Sequence, residues 1–154
     1  MGFTWVATQD GLNLFDGNTF TEYTYNNVNA TKKILANDVR TLVLDSLNHS
    51  VWALTSMGGI NQIDYFTGDV TRSIKIKHVD NDDWSISMVL VKNQLWLGCM
   101  NSIKVYDITN NKWLLPPAIP FKKTVMMICS QLKQCVLTKK AAISGLFLIA
   151  TASL

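Results

Sequence analysis

Trp5-Val6-Ala7-Thr8-Gln9-Asp10-Gly11-Leu12-Asn13-Leu14-Phe15-Asp16 decides the fold, because the chain writes it twice more. It returns as Trp52-Ala53-Leu54-Thr55-Ser56-Met57-Gly58-Gly59-Ile60-Asn61-Gln62-Ile63-Asp64, with one extra residue at the glycine turn. It returns again as Trp96-Leu97-Gly98-Cys99-Met100-Asn101-Ser102-Ile103-Lys104-Val105-Tyr106-Asp107, where Cys99 replaces the threonine. Successive tryptophans stand 47 and 44 residues apart. A unit of that period cannot bury its own apolar face, so copies must stack. Each copy reads as a short strand opened by Trp, a reversal, and a second strand closed by Asp. Glycine suits the reversal because it reaches φ > 0 without a Cβ clash.

Working outward, turn-formers follow each Asp: Asp16-Gly17-Asn18, Thr67-Gly68-Asp69 and Thr109-Asn110-Asn111. A further strand follows each turn, as in Thr19–Tyr25. Strands also precede the second and third tryptophans, at Val39–Asp45 and Ser85–Val91. Four antiparallel strands per unit make the blade of a β-propeller. No 3.6-residue periodicity persists long enough to predict a good helix. The fold class is therefore all-β: a propeller fragment of three to four four-stranded blades, incomplete at both ends. Residues 1–123 are assigned to blades, as a partial blade over 1–27 that lacks its inner strand, then blades over 37–77 and 84–115. Residues 124–154 fit the pattern poorly. Three readings stand for them: a degenerate fourth blade, foreign or out-of-frame sequence, or a membrane-associated end.

Composition narrows the function classes. Among 154 residues, 48% are hydrophobic and 16% charged, which is globular rather than disordered. Residues 1–107 carry all 11 acidic residues and 8 basic ones, while 108–154 carry 6 lysines and no acid. Only Arg40 and Arg72 are arginines. An arginine-rich stripe with aromatic partners is missing, which argues against nucleic acid. Three cysteines, Cys99, Cys129 and Cys135, give neither a disulfide framework nor a Cys-x-x-Cys pair. No basic-then-apolar leader opens the chain. The apolar run Ala141–Leu154 has 14 residues, short of the roughly 20 a helical membrane span needs.

The chemistry-bearing candidates mostly read as structure. Trp5, Trp52 and Trp96 share one repeat position, so they read as packing between blades rather than sugar platforms. Thr8, Thr55, Gly11 and Gly58 sit at the hairpin. Asp16, Asp64 and Asp107 recur where a turn needs a cap, not where a catalytic pair would form. Asp80, Asp82 and Asp83 lack the glycine and distal Glu of a calcium loop. Two histidines, His49 and His78, cannot make a His-rich metal site, and no Gly-x-Ser-x-Gly elbow occurs. No cofactor and no catalytic residue are assigned.

Trp5-x-x-Thr8-x-Asp10-Gly11-Leu12-x-x-Phe15-Asp16-Gly17-x-x-Phe20-x-x-Tyr23 resembles the repeat of two-component regulator propellers. So does Leu35-Ala36-Asn37-Asp38-Val39-Arg40, leading through Asp45 into Val51–Thr55 and Gly58-Gly59-Ile60. In that family such repeats build the extracytoplasmic sensor of hybrid two-component histidine kinases. The resemblance implies a non-enzymatic, periplasmic sensing module for an oligosaccharide, working with further blades of a parent receptor; a homodimer is one option for its assembly, and the oligomeric state stays open. Kinase activity would belong to that parent. Ligand contact is expected at the loops leading into inner strands, at Asn37 and Asp38 and at Asp82, Asp83 and Trp84. A propeller-type polysaccharide lyase or glycosidase, or a protein-interaction scaffold, is the alternative reading. Three blades alone would leave apolar sheet faces open, so self-association is expected.

Overall fold

A computed structural model describes residues 3–77, 84–100, 102–115 and 148–152, the last of these as backbone. These residues form twelve strands in three four-stranded antiparallel sheets, with one short 3₁₀ turn at Ala30–Lys32. The chain divides into two units, residues 1–77 with 147–154, and residues 78–146.

The first unit holds two sheets. One is built from β1 (Phe3–Thr8), β2 (Gly11–Phe15) and β3 (Phe20–Tyr23). The other runs in chain order through β4 (Val39–Asp45), β5 (Ser50–Thr55), β6 (Gly59–Asp64) and β7 (Val70–Lys75). The second unit holds β8 (Ser85–Val91), β9 (Gln94–Cys99), β10 (Ile103–Asp107) and β11 (Lys112–Leu114), paired in the same succession. The strand expected over Thr19–Tyr25 is shorter, because the chain leaves the sheet after Tyr23.

The first sheet departs from the sequence expectation. Its inner position is not empty: β12 (Leu148–Ala152) pairs antiparallel with β1, Trp5 opposite Ala150. An unpaired inner edge exposes a row of backbone donors and acceptors, and β12 satisfies that row.

Alternation along the strands sets the core. Trp5, Ala7, Leu12, Leu14 and Tyr23 share one face of the first sheet. They pack with Val39, Leu42, Val51, Ala53 and Ile63 of the second sheet and Ile34 of the connector. Trp5 and Trp52 are 1% and 0% exposed. Tyr23 is fully buried yet polar at its tip, so it needs a partner. Its hydroxyl donates to the Gly68 carbonyl of the neighbouring sheet at 2.6 Å. Lys32 reaches the same carbonyl at 2.5 Å and pairs with Asp69 at 3.0 Å. These contacts latch the connector between the two sheets onto the outer turn of the second.

The repeated residues have concrete tasks. Thr8 Oγ1 donates to Gly11 O at 2.8 Å, and Thr55 Oγ1 to Gly59 O at 3.0 Å, so each hydroxyl closes its own hairpin. Cys99 carries a thiol, a weak donor, in place of the hydroxyl, and there the backbone bond from Cys99 N to Ser102 O closes the hairpin at 2.9 Å. Gly11 and Gly59 hold the left-handed conformation at φ 125° and 137°. Gly58 does not. It is needed for close approach, because a Cβ there would lie 2.8 Å from the Leu35 carbonyl group.

Candidate functional site

At the end of the first unit where β4 begins, three loops meet. They are the stretch after β3, the lead into β4, and the β5–β6 hairpin. Tyr25, Asn26, Leu35, Ala36, Asn37, Met57 and Gly58 line an open groove of about 410 Å³ there. That volume lies within the ordinary range for small-ligand sites. Tyr25 and Met57 are 52% and 50% exposed. The groove thus offers an aromatic ring and a thioether chain, flanked by the amide of Asn26. The Lys33 ammonium stands 5.5 Å from the Tyr25 ring centroid, at cation–π distance.

Side-chain hydrogen bonds tie these loops to one another. Asn37 Oδ1 accepts from Tyr25 N at 2.7 Å, and its Nδ2 donates to Asp10 Oδ1 at 3.1 Å. The Asn37 carbonyl accepts from Gly11 N at 2.9 Å. One residue therefore ties together the β1–β2 hairpin, the post-β3 loop and the lead into β4. The floor is fixed from beneath by Asn61, fully buried, whose Oδ1 accepts from Leu35 N at 3.2 Å and Ser73 Oγ at 3.1 Å.

Of the residues expected to touch ligand, Asn37 lines the groove with its side chain committed to holding loops. Asp38 does not line it. A bulge between Val39 and Thr41 turns Arg40 back, and its guanidinium donates to Asp38 Oδ2 at 2.5 Å. The Asp38 carbonyl accepts from Ser56 N at 2.9 Å. Trp84, in the second unit, is 49% exposed, and its carbonyl accepts from Met100 N. Asp82 and Asp83 lie outside the described residues.

Sequence reading missed Tyr25, Asn26 and Met57. The strand expected over Thr19–Tyr25 takes in Tyr25, and Met57 falls beside the glycine turn of the second repeat. The signal available was Asn26-Asn27 directly after Tyr23-Thr24-Tyr25, a turn pair that ends a strand.

At the opposite end of each sheet, the recurring aspartates cap turns. Asp16 Oδ1 accepts from Asn18 N at 2.8 Å and Thr19 N at 2.7 Å. Asp64 Oδ1 accepts from Phe66 N and Thr67 N, and Asp107 takes both the backbone and side-chain nitrogens of Asn110. These donors favour the ionised form, so all three carboxyls sit below their ordinary value. Among the described residues, no cluster of His, Cys, Asp or Glu is set up to hold a metal. No helix among them is long and apolar enough to cross a membrane.

No protein-family model matches this chain, and no curated protein does. Among solved structures, it is similar to the extracellular domain described as belonging to a hybrid two-component system of B. thetaiotaomicron. The identity is 22% and the TM-score 0.61, over 77% of this chain and 18% of that one. The likeness is one of fold: this chain is built as propeller blades, and it spans under a fifth of the length of the domain it matches.

Proposed function

We propose that this chain is a non-enzymatic ligand-sensing module, part of the extracytoplasmic propeller of a two-component receptor, and that its ligand is an oligosaccharide. The observation that carries the reading is the groove at the loop end of the first unit. Tyr25 presents half its surface there beside Asn26, with Met57 opposite on the hairpin. A flat aromatic face suits the apolar face of a sugar ring, and amides suit its hydroxyls. The groove is shallow and open, which fits a chain of sugar units better than a compact molecule. The loops are held by hydrogen bonds rather than by a deep core, so a ligand bridging them shifts the balance between loop arrangements. In a receptor, that shift is the signal.

Calorimetric titration with a panel of neutral oligosaccharides tests this. One member of the panel is expected to bind, and Tyr25→Ala is expected to weaken it at least ten-fold, about 1.4 kcal/mol. Binding that survives Tyr25→Ala and Met57→Ala unchanged would remove the groove from the account.

A further inference from the structure

Tyr25, the aromatic wall of the groove, belongs to a loop that closes on itself. The neck of the loop is a bridge between Thr24 and Lys33, beside which Ile34 N donates to Thr24 O at 3.2 Å. Its tip is the 3₁₀ turn Ala30–Lys32, capped by Asn29 Oδ1, which accepts from Thr31 N at 3.0 Å. Loops whose ends meet are compact units, so a hold on the tip is also a hold on the neck.

Lys32 supplies the hold on the tip. Its ammonium donates to the Gly68 carbonyl and to Asp69 Oδ1, and stands 5.4 Å from the Tyr23 ring centroid. The Lys32 side chain is 17% exposed, so its charge is largely sheltered and depends on these partners. Lys32, with Thr31, holds the Asp69 carboxyl below its ordinary value of 3.8, so the pair stays charged at neutral pH. The next residue, Lys33, places its own ammonium 5.5 Å from the Tyr25 ring centroid. The β6–β7 turn, Lys32, Lys33 and Tyr25 thus form one chain of contacts that ends at the groove wall, although neither lysine lines the groove. Asn37 fixes the Tyr25 backbone, and Asn61 fixes Leu35 on the far side of the loop. The Tyr25 ring takes its hold from Lys33.

We propose that Lys32 is a positioning residue for the groove: by clasping Gly68 and Asp69 it sets the loop that carries Lys33 and Tyr25, and so sets how tightly the groove binds. The part of this that concerns binding rests on the groove being the ligand site. The part that concerns the loop does not.

The test is Lys32→Met, which keeps an apolar stem and removes the charge, with Asp69→Asn as a milder break at a side chain 45% exposed. Amide hydrogen exchange read by nuclear magnetic resonance on the full chain needs no ligand. Exchange at Lys33 and Ile34 is expected to rise about ten-fold or more in Lys32→Met and by less in Asp69→Asn, with the Tyr25 ring resonances displaced in both. Exchange at Ala53 and Ile60, in buried strands, is expected to stay within about two-fold of wild type. Calorimetry with the neutral oligosaccharide that binds wild type is expected to show about ten-fold weaker binding to Lys32→Met. Wild-type exchange at Lys33 and Ile34 in a folded Lys32→Met would overturn the proposal. So would a rise shared equally by Ala53 and Ile60, which would make Lys32 a general support of the fold. So would unchanged affinity in a variant whose loop exchange has risen. If Lys32→Met does not fold, the same criteria are read on Asp69→Asn. Failure of the ligand reading looks different: no oligosaccharide binds even wild type, while exchange still decides whether Lys32 holds the loop.

Discussion

Asn37→Ala probes how the groove is built. The substitution deletes the acceptor for Tyr25 N at 2.7 Å and the donor to Asp10 Oδ1 at 3.1 Å. A neutral hydrogen bond contributes about 0.5–1.5 kcal/mol net, and one to a charged group about 1.5–3 kcal/mol. Both bonds are exposed, so water replaces the lost partners and the lower end of each range applies. The Asn37 carbonyl still accepts from Gly11 N, because that bond is backbone. The expected cost is therefore about 1–2 kcal/mol. At roughly 4–8 °C per kcal/mol for a unit of this size, melting falls by about 4–16 °C. Urea unfolding followed by circular dichroism measures the free energy, and Asn26→Ala is the control. Asn26 lines the same groove without a hydrogen bond to another described residue, so its loss is expected to change stability by less than about 0.5 kcal/mol. Equal effects of the two substitutions, or no effect of Asn37→Ala, would refute Asn37 as the clamp.

Glycine replacements should rank by what a Cβ meets. Gly17→Ala has φ 102° and nothing within 4 Å, so it is expected to cost about 1 kcal/mol, whereas Gly59→Ala drives a Cβ to within 2.1 Å of Ile74 O and is expected to cost more than about 3 kcal/mol. Reversal of that order in urea midpoints would contradict the turn geometry. Tyr23→Phe removes the buried bond to Gly68 O but leaves that carbonyl with Lys32, so about 1 kcal/mol is expected rather than the larger cost of an orphaned acceptor. Stability should plateau at neutral pH and fall on both sides. The carboxyls of Asp16, Asp64, Asp69 and Asp107 are held low by their donors, so their contribution is complete above the ordinary value of 3.8 and is lost as pH falls below it. Burial, with Asp69 nearby, pushes the Tyr23 phenol above its ordinary 10.0, so its contribution is complete below pH 10 and is lost as pH rises beyond it. Asp16→Asn should flatten the acid limb, and Tyr23→Phe the alkaline one, in urea midpoints taken across pH.

The blade pattern was legible because each repeat couples local chemistry to period-2 alternation. Trp stands third in its strand, Thr closes a hairpin, and Asp caps a turn, and the hairpin and the cap are short-range. The partner of β1 was not legible. Leu148–Ala152 is 140 residues away from β1 in the chain, and an apolar run carries no address for the edge it will join. The groove was half legible. Asn37 stood out as a polar residue ahead of an inner strand, but its commitment to Tyr25 and Asp10 is a tertiary fact. Tyr25 was hidden by its own β propensity: Thr24-Tyr25 reads as more strand, and only the two asparagines after it say otherwise.

The most direct test of the binding account is a backbone amide chemical-shift map of the full chain during titration with the oligosaccharide selected by calorimetry. The account expects saturable shifts centred on Tyr25, Asn26, Ala36, Met57 and Gly58, with the turns at Asp16, Asp64 and Asp107 unmoved. Shifts centred on those turns, or binding that leaves the groove amides in place, would contradict it.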